Sequence, residues 1–259
     1  MSQTQSQTSE PQYRIALAQD ADQLRAAQRL RYDVFVDELG GCGPQIDHEA
    51  RLECDRFDPF FDHMLLYDDA TGVVVGVYRL LRQDAANQIG QFYSEDEYDL
   101  TRLRQTGRRF LELGRSCLHR DYRGGAAMHH LWAGLAQYVT EHQIDIMFGV
   151  ASFHGTDPQA LAAPLSLLHH RHLAPSEIRP RAQPAAFQNM NLIAEADLDR
   201  RTAMLQIPAL IKAYLRLGGT VGEGAFVDHR FNTTDVCVLM DTKQLNARQS
   251  RIYASGPTR

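Results

Sequence analysis

The sequence predicts an α/β fold with a mixed sheet flanked by helices, and three observations carry that expectation. Apolar runs of strand length alternate with stretches whose apolar residues recur at i, i+3, i+4 and i+7. Two of the strand-like runs, "HMLLYDD" and "VVVGVYRLL", are joined by a tight turn at Asp69–Gly72, which is a hairpin pattern. After residue 12 no internal repeat and no linker breaks the alternation, so one α/β domain is the economical reading of the 259 residues.

Taken in order, residues 1–11 are polar and low in complexity, a disordered tail. "YRIALA" is a first strand. Asp20 caps a helix predicted over Ala21–Leu39, with an apolar stripe of Leu24, Ala27, Leu30, Val34 and Phe35. At about 100° per residue, Arg31 and Glu38 fall within that stripe. A buried charge needs a partner, which makes Arg31 a site candidate; the plainer reading lays it along the stripe's edge. Arg79 shares a strand face with Val75 and Val77, again a charge among apolar residues, unless that face is half exposed. The segment 87–108 reads as irregular, with one helical turn near Tyr98–Arg104. "RRFLELGRSCLH" is a strand, followed by a basic turn at Arg123–Met128 and a helix over Ala126–His142. That helix is apolar at Met128, Leu131, Trp132, Leu135, Tyr138 and Val139. "IMFGVASF" is a strand, helices follow at Pro158–His172 and Pro208–Leu217, and "GEGAFVDHRF" and "TDVCVLMD" close the pattern as strands.

Bulk properties narrow the function classes. The apolar runs are far shorter than the roughly 18 residues of a membrane span, and the start lacks a secretory signal's pattern, so the cytoplasm is expected. The four cysteines form no CxxC pair and read as reduced structural thiols. A net charge of −5 gives no ground for a nucleic-acid partner. Charge is nevertheless uneven: seven arginines stand between Arg102 and Arg123, against Glu112 and Asp121. Such a run is either a solvated face or a docking patch for an acidic partner or a phosphate.

A strand, a basic glycine turn and a helix offer backbone N–H groups and a positive dipole end to an anion. In this order the chain resembles the GNAT acyltransferase superfamily, whose pyrophosphate loop reads Gln/Arg-x-x-Gly-x-Gly/Ala. Arg123 and Gly124 fit; Ala126 and Met128 depart. A closer resemblance runs from residue 13 to about 241, through "RLRYDVFVDELG", "ECDRFDPFFDHMLLYD", "FLELGRSCLHRDYR", "LLHHRHLAP" and "AYLRLGGTVGEGAFVDHRFNTTDVCVLM". These stretches look like the bacterial ornithine N-acyltransferases of ornithine-lipid synthesis. The front half, through Arg31, Phe35, Asp55, Asp58, Arg79, Glu112 and Arg115, is also similar to the acyl-homoserine-lactone synthases. The resemblance implies a GNAT-like, mainly antiparallel sheet with a splayed central strand, spanning 12–245 as a single domain ahead of a flexible tail at 246–259. It also implies a fatty acyl donor carried on acyl carrier protein, with ornithine as acceptor. A carrier's phosphopantetheine brings one phosphodiester, for which a relaxed turn of Gly124 and Gly125 backed by Arg120 and Arg123 suffices. The arginine run would meet the carrier's acidic face.

The implied reaction is aminolysis of a thioester, which needs a neutral amine, oxyanion stabilisation and an acyl pocket. Glu112, an acid within the apolar "FLELG", is the expected base; structural pairing is its alternative. Strand parity puts Glu112 and Arg115 on opposite faces, so both line a site only if the strand bulges near Leu113–Gly114. His154, at a strand end, is expected to protonate the leaving thiolate, or else caps a turn. Asp55 and Asp58 are expected to bind ammonium groups of ornithine and Arg31 or Arg79 its carboxylate, against an Arg31–aspartate ion pair that orders the loop. No metal and no permanently bound cofactor are expected, since His169, His170 and His172 diverge around their helix. "IPALIKAYLRLGG", with Lys212 and Arg216, reads as a core helix, with transient contact at the inner membrane surface as the second reading. Competing functions are a lactone synthase, a glycine or lysine acyltransferase, a coenzyme A-dependent acetyltransferase, and a silent carrier-binding module.

Overall fold

The computed structural model describes residues 12–43 and 46–244, so the expected tails at 1–11 and 246–259 lie outside the described residues. Its main sheet is built from β1 (Tyr13–Leu17), β2 (Asp62–Asp68), β3 (Val73–Arg82), β4 (Phe110–Leu118), β5 (Ile146–His154), β6 (Phe187–Gln188), β7 (Ala225–Asp228) and β8 (Thr233–Asp241). They lie in the order β1-β2-β3-β4-β5-β8-β7-β6. Neighbours run antiparallel except β4 and β5, which are parallel because a helix crosses over between them. The β2–β3 hairpin closes as its sequence requires. Gly72 takes φ 70° and donates its N–H to the Asp68 carbonyl at 2.7 Å.

Helix α1 (Ala21–Arg31) is capped by Asp20, whose carboxylate accepts the N–H groups of Asp22 and Gln23 at 3.0 and 2.8 Å. The predicted helix does continue to Glu38, but residues Tyr32–Glu38 wind as a wider π-helical turn. Arg51 grips that turn from outside, bonding Asp33 at 2.8 Å and also Asp37. Helices α2 (Ala127–Glu141), α3 (Ala162–His172) and α4 (Ala209–Arg216) complete the main set. The expected start of α3 at Pro158 is early by one turn, since residues 158–161 form turns. The helical turn expected near Tyr98–Arg104 is present at Thr101–Arg104, and the stretch before it holds more order than its sequence suggests, with a helix at Gln83–Ile89 and a 3-10 turn at Tyr93–Asp96.

One core gathers α2, α3 and α4 against the sheet, through Leu131, Leu135, Leu165, Leu168, Ile211 and Tyr214. Burial of each such leucine or isoleucine is worth roughly 1.5–3 kcal/mol. Helix α4 therefore spends its apolar face on the core, and no helix among the described residues is long and apolar enough to cross a membrane. A second core lies under the segment 83–108 and includes Leu81, Phe92, Leu103, Phe110 and Phe148. A third, smaller one packs α1 on Leu65, Val77 and Cys117. With both faces covered, β3 is buried from Val74 to Leu81, so Arg79 has no solvated face and must find partners inside.

Candidate active site

The charges that the sequence puts on apolar faces meet in one buried cluster. Arg31, fully buried, donates from Nε to Glu53 Oε2 at 2.5 Å and from Nη1 to Asp58 Oδ1 at 2.8 Å. Arg79, equally buried, donates from Nη1 to Asp55 Oδ2 at 2.6 Å and to Asp58 Oδ1 at 2.8 Å. Arg115 donates to Glu53 Oε1 at 3.1 Å and stands 3.5 Å from Asp55 Oδ2. Three guanidinium groups thus offset three carboxylates, without which burial would cost several kcal/mol per ion. Burial alone would push the Asp58 carboxyl up, but Arg31 and Arg79 outweigh it and hold it well below the usual range. Arg79 leaves Nε and Nη2 without an acceptor, and its guanidinium lies 4.2 Å from the centroid of the Phe61 ring.

Arg31, Asp55, Asp58 and Arg79 pair with one another, and none of them lines the neighbouring cavity of about 490 Å³. The members of the cluster that do reach the cavity are Arg115 and Glu53, and sequence reasoning passed over Glu53.

The central strand is irregular on both edges. Its register on β3 is unbroken from Leu111 to Gly114 and shifts before Cys117, so Arg115 and Ser116 together face Tyr78. The bulge therefore sits just beyond the expected Leu113–Gly114. Arg115 absorbs it at φ 51°, a left-handed conformation that costs a non-glycine residue about 1–2 kcal/mol. Through it, Glu112 and Arg115 line the same cavity. On the other edge, the parallel ladder with β5 ends at Glu112–Phe148. Gly149 marks the parting, since a Cβ there would lie 2.1 Å from the Leu113 carbonyl oxygen. The gap holds a small cavity of about 40 Å³, whose walls at Leu113–Ser116 and Val150 are shared with the larger one.

Glu112 is 1% exposed and accepts the N–H groups of Tyr93 at 2.8 Å and Ser94 at 2.6 Å, plus the Ser94 hydroxyl. Burial outweighs those bonds and pushes its carboxyl up to about 7. His154 is exposed where β5 ends and lines the same cavity. Phe35 and Val36 of the π-helical turn and Leu39 just after it, with Ile46 and Leu210, give the cavity an apolar side. Its polar side holds three acids that sequence reasoning missed: Glu97, Asp228 and Asp235, with carboxylate oxygens within 4.8 Å of one another. Burial first, then mutual repulsion, raises the Asp235 carboxyl to about 6 and Glu97 well above its ordinary value. Asp235 carries the same signal as Glu112, an acid inside an apolar strand, and could have been found by it. Glu97 sits in the segment that reads as irregular and carried no such mark.

The turn after β4 is open. Gly124 takes φ 79°, nothing stands within 4 Å of a Cβ at Gly124 or Gly125, and Ala126 stands at the N-cap of α2 with no side-chain cap. Arg123 is turned inward: it bonds the Leu118 carbonyl at 2.9 Å and Glu38 at 2.8 Å. Arg120 is exposed, and Met128 packs against the core as the first apolar residue of α2. The seven arginines do not form one patch. Arg104, Arg108, Arg115 and Arg123 each hold a carboxylate, which leaves Arg102, Arg109 and Arg120 exposed without a carboxylate partner among the described residues. The α3 histidines do not converge; His170 bonds the Ile193 carbonyl at 2.9 Å.

Comparison with known proteins supplies the family. An acetyltransferase (GNAT) domain model matches residues 30–133, from the end of α1 into α2. The L-ornithine N(alpha)-acyltransferase of Rhodobacter capsulatus is 61% identical over 246 residues, 93% of this chain and 94% of its own. The protein of that name from Brucella abortus is 40% identical, over 95% of this chain and 90% of its own. Among solved structures, the AHL synthase LasI superposes with a TM-score of 0.52 at 16% identity, covering 96% of this chain and 98% of its own. The CoA-dependent acyl-homoserine lactone synthase BjaI does so with a TM-score of 0.51 at 14% identity, over 92% and 84%. The two synthases speak to the fold alone. With identity this high over nearly its whole length, the chain is an N-acyltransferase on the GNAT fold and belongs to the L-ornithine N(alpha)-acyltransferase family.

Proposed function

We propose that this enzyme transfers a fatty acyl group, 3-hydroxylated or not, from acyl carrier protein to the α-amine of ornithine, giving the lyso-lipid of ornithine-lipid biosynthesis. The observation that carries the reading is the buried Glu112 carboxyl, raised to about 7 beside the point where β4 and β5 part. A base near neutrality can take a proton from the α-ammonium, directly or through one water. The freed amine attacks the thioester carbonyl. The tetrahedral oxyanion forms against the edge of β4 that has lost its β5 partner, where backbone N–H groups can receive it. The attacking nitrogen gives up its second proton to His154 at the cavity rim, collapse expels the phosphopantetheine thiolate, and His154 passes that proton on to it. In this reading Arg115, which lines the cavity, meets the acceptor's carboxylate, and the apolar wall of Phe35, Val36 and Leu39 takes the acyl chain. The open turn at Gly124–Gly125 with Arg120, ahead of the uncapped start of α2, suits the single phosphodiester of a carrier arm. The work is expected in the cytoplasm, with the product delivered to the inner membrane surface.

The test is a two-by-two assay. Purified enzyme receives the same acyl group on carrier protein or on coenzyme A, with ornithine or S-adenosylmethionine as second substrate, and thiol release and product mass are followed. Nα-acylornithine from the carrier thioester is expected. A lactone product, or preference for the coenzyme A thioester, would replace this reading with a lactone synthase or a coenzyme A-dependent enzyme. No thiol release with any amine would leave only carrier binding.

A further inference from the structure

Two groups of three acids stand at this end of the molecule, one reaching the cavity only through Glu53 and the other lining it throughout, and they differ in their partners. Glu53, Asp55 and Asp58 are neutralised by Arg31, Arg79 and Arg115. Glu97, Asp228 and Asp235 have no basic side chain within ion-pair distance among the described residues. Arg115, whose charge reaches both Glu97 and Asp235, is already committed to Glu53 and Asp55. Glu97 is 9% and Asp235 4% exposed, yet Glu97 Oε2 and Asp235 Oδ1 accept no hydrogen bond. Buried carboxylate oxygens left without donors are costly, on the order of 1–3 kcal/mol or more each. The other contacts of the trio orient it: Ser152 and Thr233 hydrogen-bond Asp235, Thr233 Oγ1 at 3.1 Å, and the N–H groups of Arg230 and Phe231 donate to Asp228 at 2.7 and 3.2 Å.

We propose that Glu97, Asp228 and Asp235 form the pocket for the side-chain ammonium of the acceptor amino acid, and thereby fix which of ornithine's two amines is acylated. The inference rests on ornithine as acceptor and goes beyond it by naming the residues that select it. Three oxygens within 4.8 Å of one another lie no more than about 2.8 Å from a common centre in their plane. That matches a primary ammonium with three N–H donors seated near that plane, one bond to each carboxylate. The chemistry also assigns the two amines. Three carboxylates stabilise an ammonium and would hold the nucleophile protonated, so the trio is wrong for the reacting amine and right for the bystander. The reacting amine is left to Glu112, a single carboxyl on the same cavity wall.

The experiment compares ornithine with norvaline, which has the same carbon chain without the δ-amine, in steady-state kinetics of the wild type, Glu97→Gln and Asp235→Asn, each with acyl carrier thioester. The wild type is expected to prefer ornithine by about 100-fold or more in kcat/KM, and each variant to raise the ornithine KM by roughly 10- to 100-fold and collapse that preference. The donor KM serves as the control for folding. A preserved ornithine-to-norvaline ratio in both variants, with donor KM intact, overturns the inference. So does wild-type activity lost with chelator and restored by Mg²⁺ or Ca²⁺ alone, which would give the trio to a metal ion. A wild type that acylates neither amino acid defeats the acceptor reading itself, a different result from either.

Discussion

At Glu112 desolvation and hydrogen bonding oppose each other, and desolvation wins, which puts the carboxyl at about 7. As the base it must be ionised, so kcat/KM for ornithine is expected to rise with pH through an inflection near 7 and then level off. Glu112→Gln should lower kcat/KM by about 100- to 10,000-fold and remove that acid limb while the donor KM stays put, as a pH–rate profile would read. The same shift has a stability consequence. A folded carboxyl at about 7 against 4.5 unfolded adds stability below pH 4.5, about 3 kcal/mol, which is lost as pH rises through 7. Asp58 has the opposite sign: its depressed carboxyl stabilises above its ordinary range and loses that contribution as pH falls. Asp58→Asn, which leaves Arg31 and Arg79 short of a counter-charge, should cost about 3–5 kcal/mol in urea unfolding. Side-chain type and spacing made Arg31, Arg79 and Glu112 conspicuous, as charges on apolar faces. They could not say whether the missing partner was another side chain or a ligand, because that depends on which loops fold over the strand. For Arg31 and Arg79 it is the loop holding Glu53, Asp55 and Asp58; for Asp235, a strand residue with the same mark, no basic side chain comes.

The strands and helices that the hydrophobic period predicts are present, because period and burial are the same fact seen twice: Tyr13–Leu17 and Phe110–Leu118 fall inside their predicted runs, and Ile146–His154 overruns its own by one residue. What the period cannot place is where regularity fails. Parity shows that Glu112 and Arg115 share a side only through a bulge, but the residue that absorbs it is fixed by tertiary partners. Arg115 takes the left-handed conformation because Glu53 and the Tyr93 hydroxyl hold its guanidinium. The π-helical turn is hidden for a similar reason, since Arg51 bonding both Asp33 and Asp37 is a long-range contact. Just past the end of the β4–β5 ladder, β5 approaches β4 so closely that a Cβ at Gly149 would lie 2.1 Å from the Leu113 carbonyl oxygen, an approach only glycine allows. Gly149→Ala is expected to lower stability by roughly 3 kcal/mol or more, read by thermal melting, since backbone must move to admit the methyl. Gly125→Ala is the contrast: with open space around it, the change in melting should stay within about 0.5 kcal/mol.

Across the molecule, the charge balance sets a problem for the proposed donor. The enzyme carries a net charge of −5, and a carrier protein with an acidic face would be repelled by the total. Docking then has to rely on local cations, and most of the arginine run is spent internally: Arg104 on Glu95, Arg108 on Asp241, Arg115 on Glu53, Arg123 on Glu38. The charges left for a partner are Arg102, Arg109 and Arg120, and Arg120 adjoins the open turn where the carrier's phosphodiester would arrive. Steering through so few exposed charges is screened within about 8–10 Å at physiological salt. The KM for acyl carrier protein should therefore rise steeply between low and moderate salt, while the KM for the same acyl group on free pantetheine should hardly move. Arg120→Glu is expected to raise the carrier-protein KM by about tenfold or more at low salt and to flatten its salt dependence. If the two donors respond alike to salt and to Arg120→Glu, the carrier protein is not read through this surface.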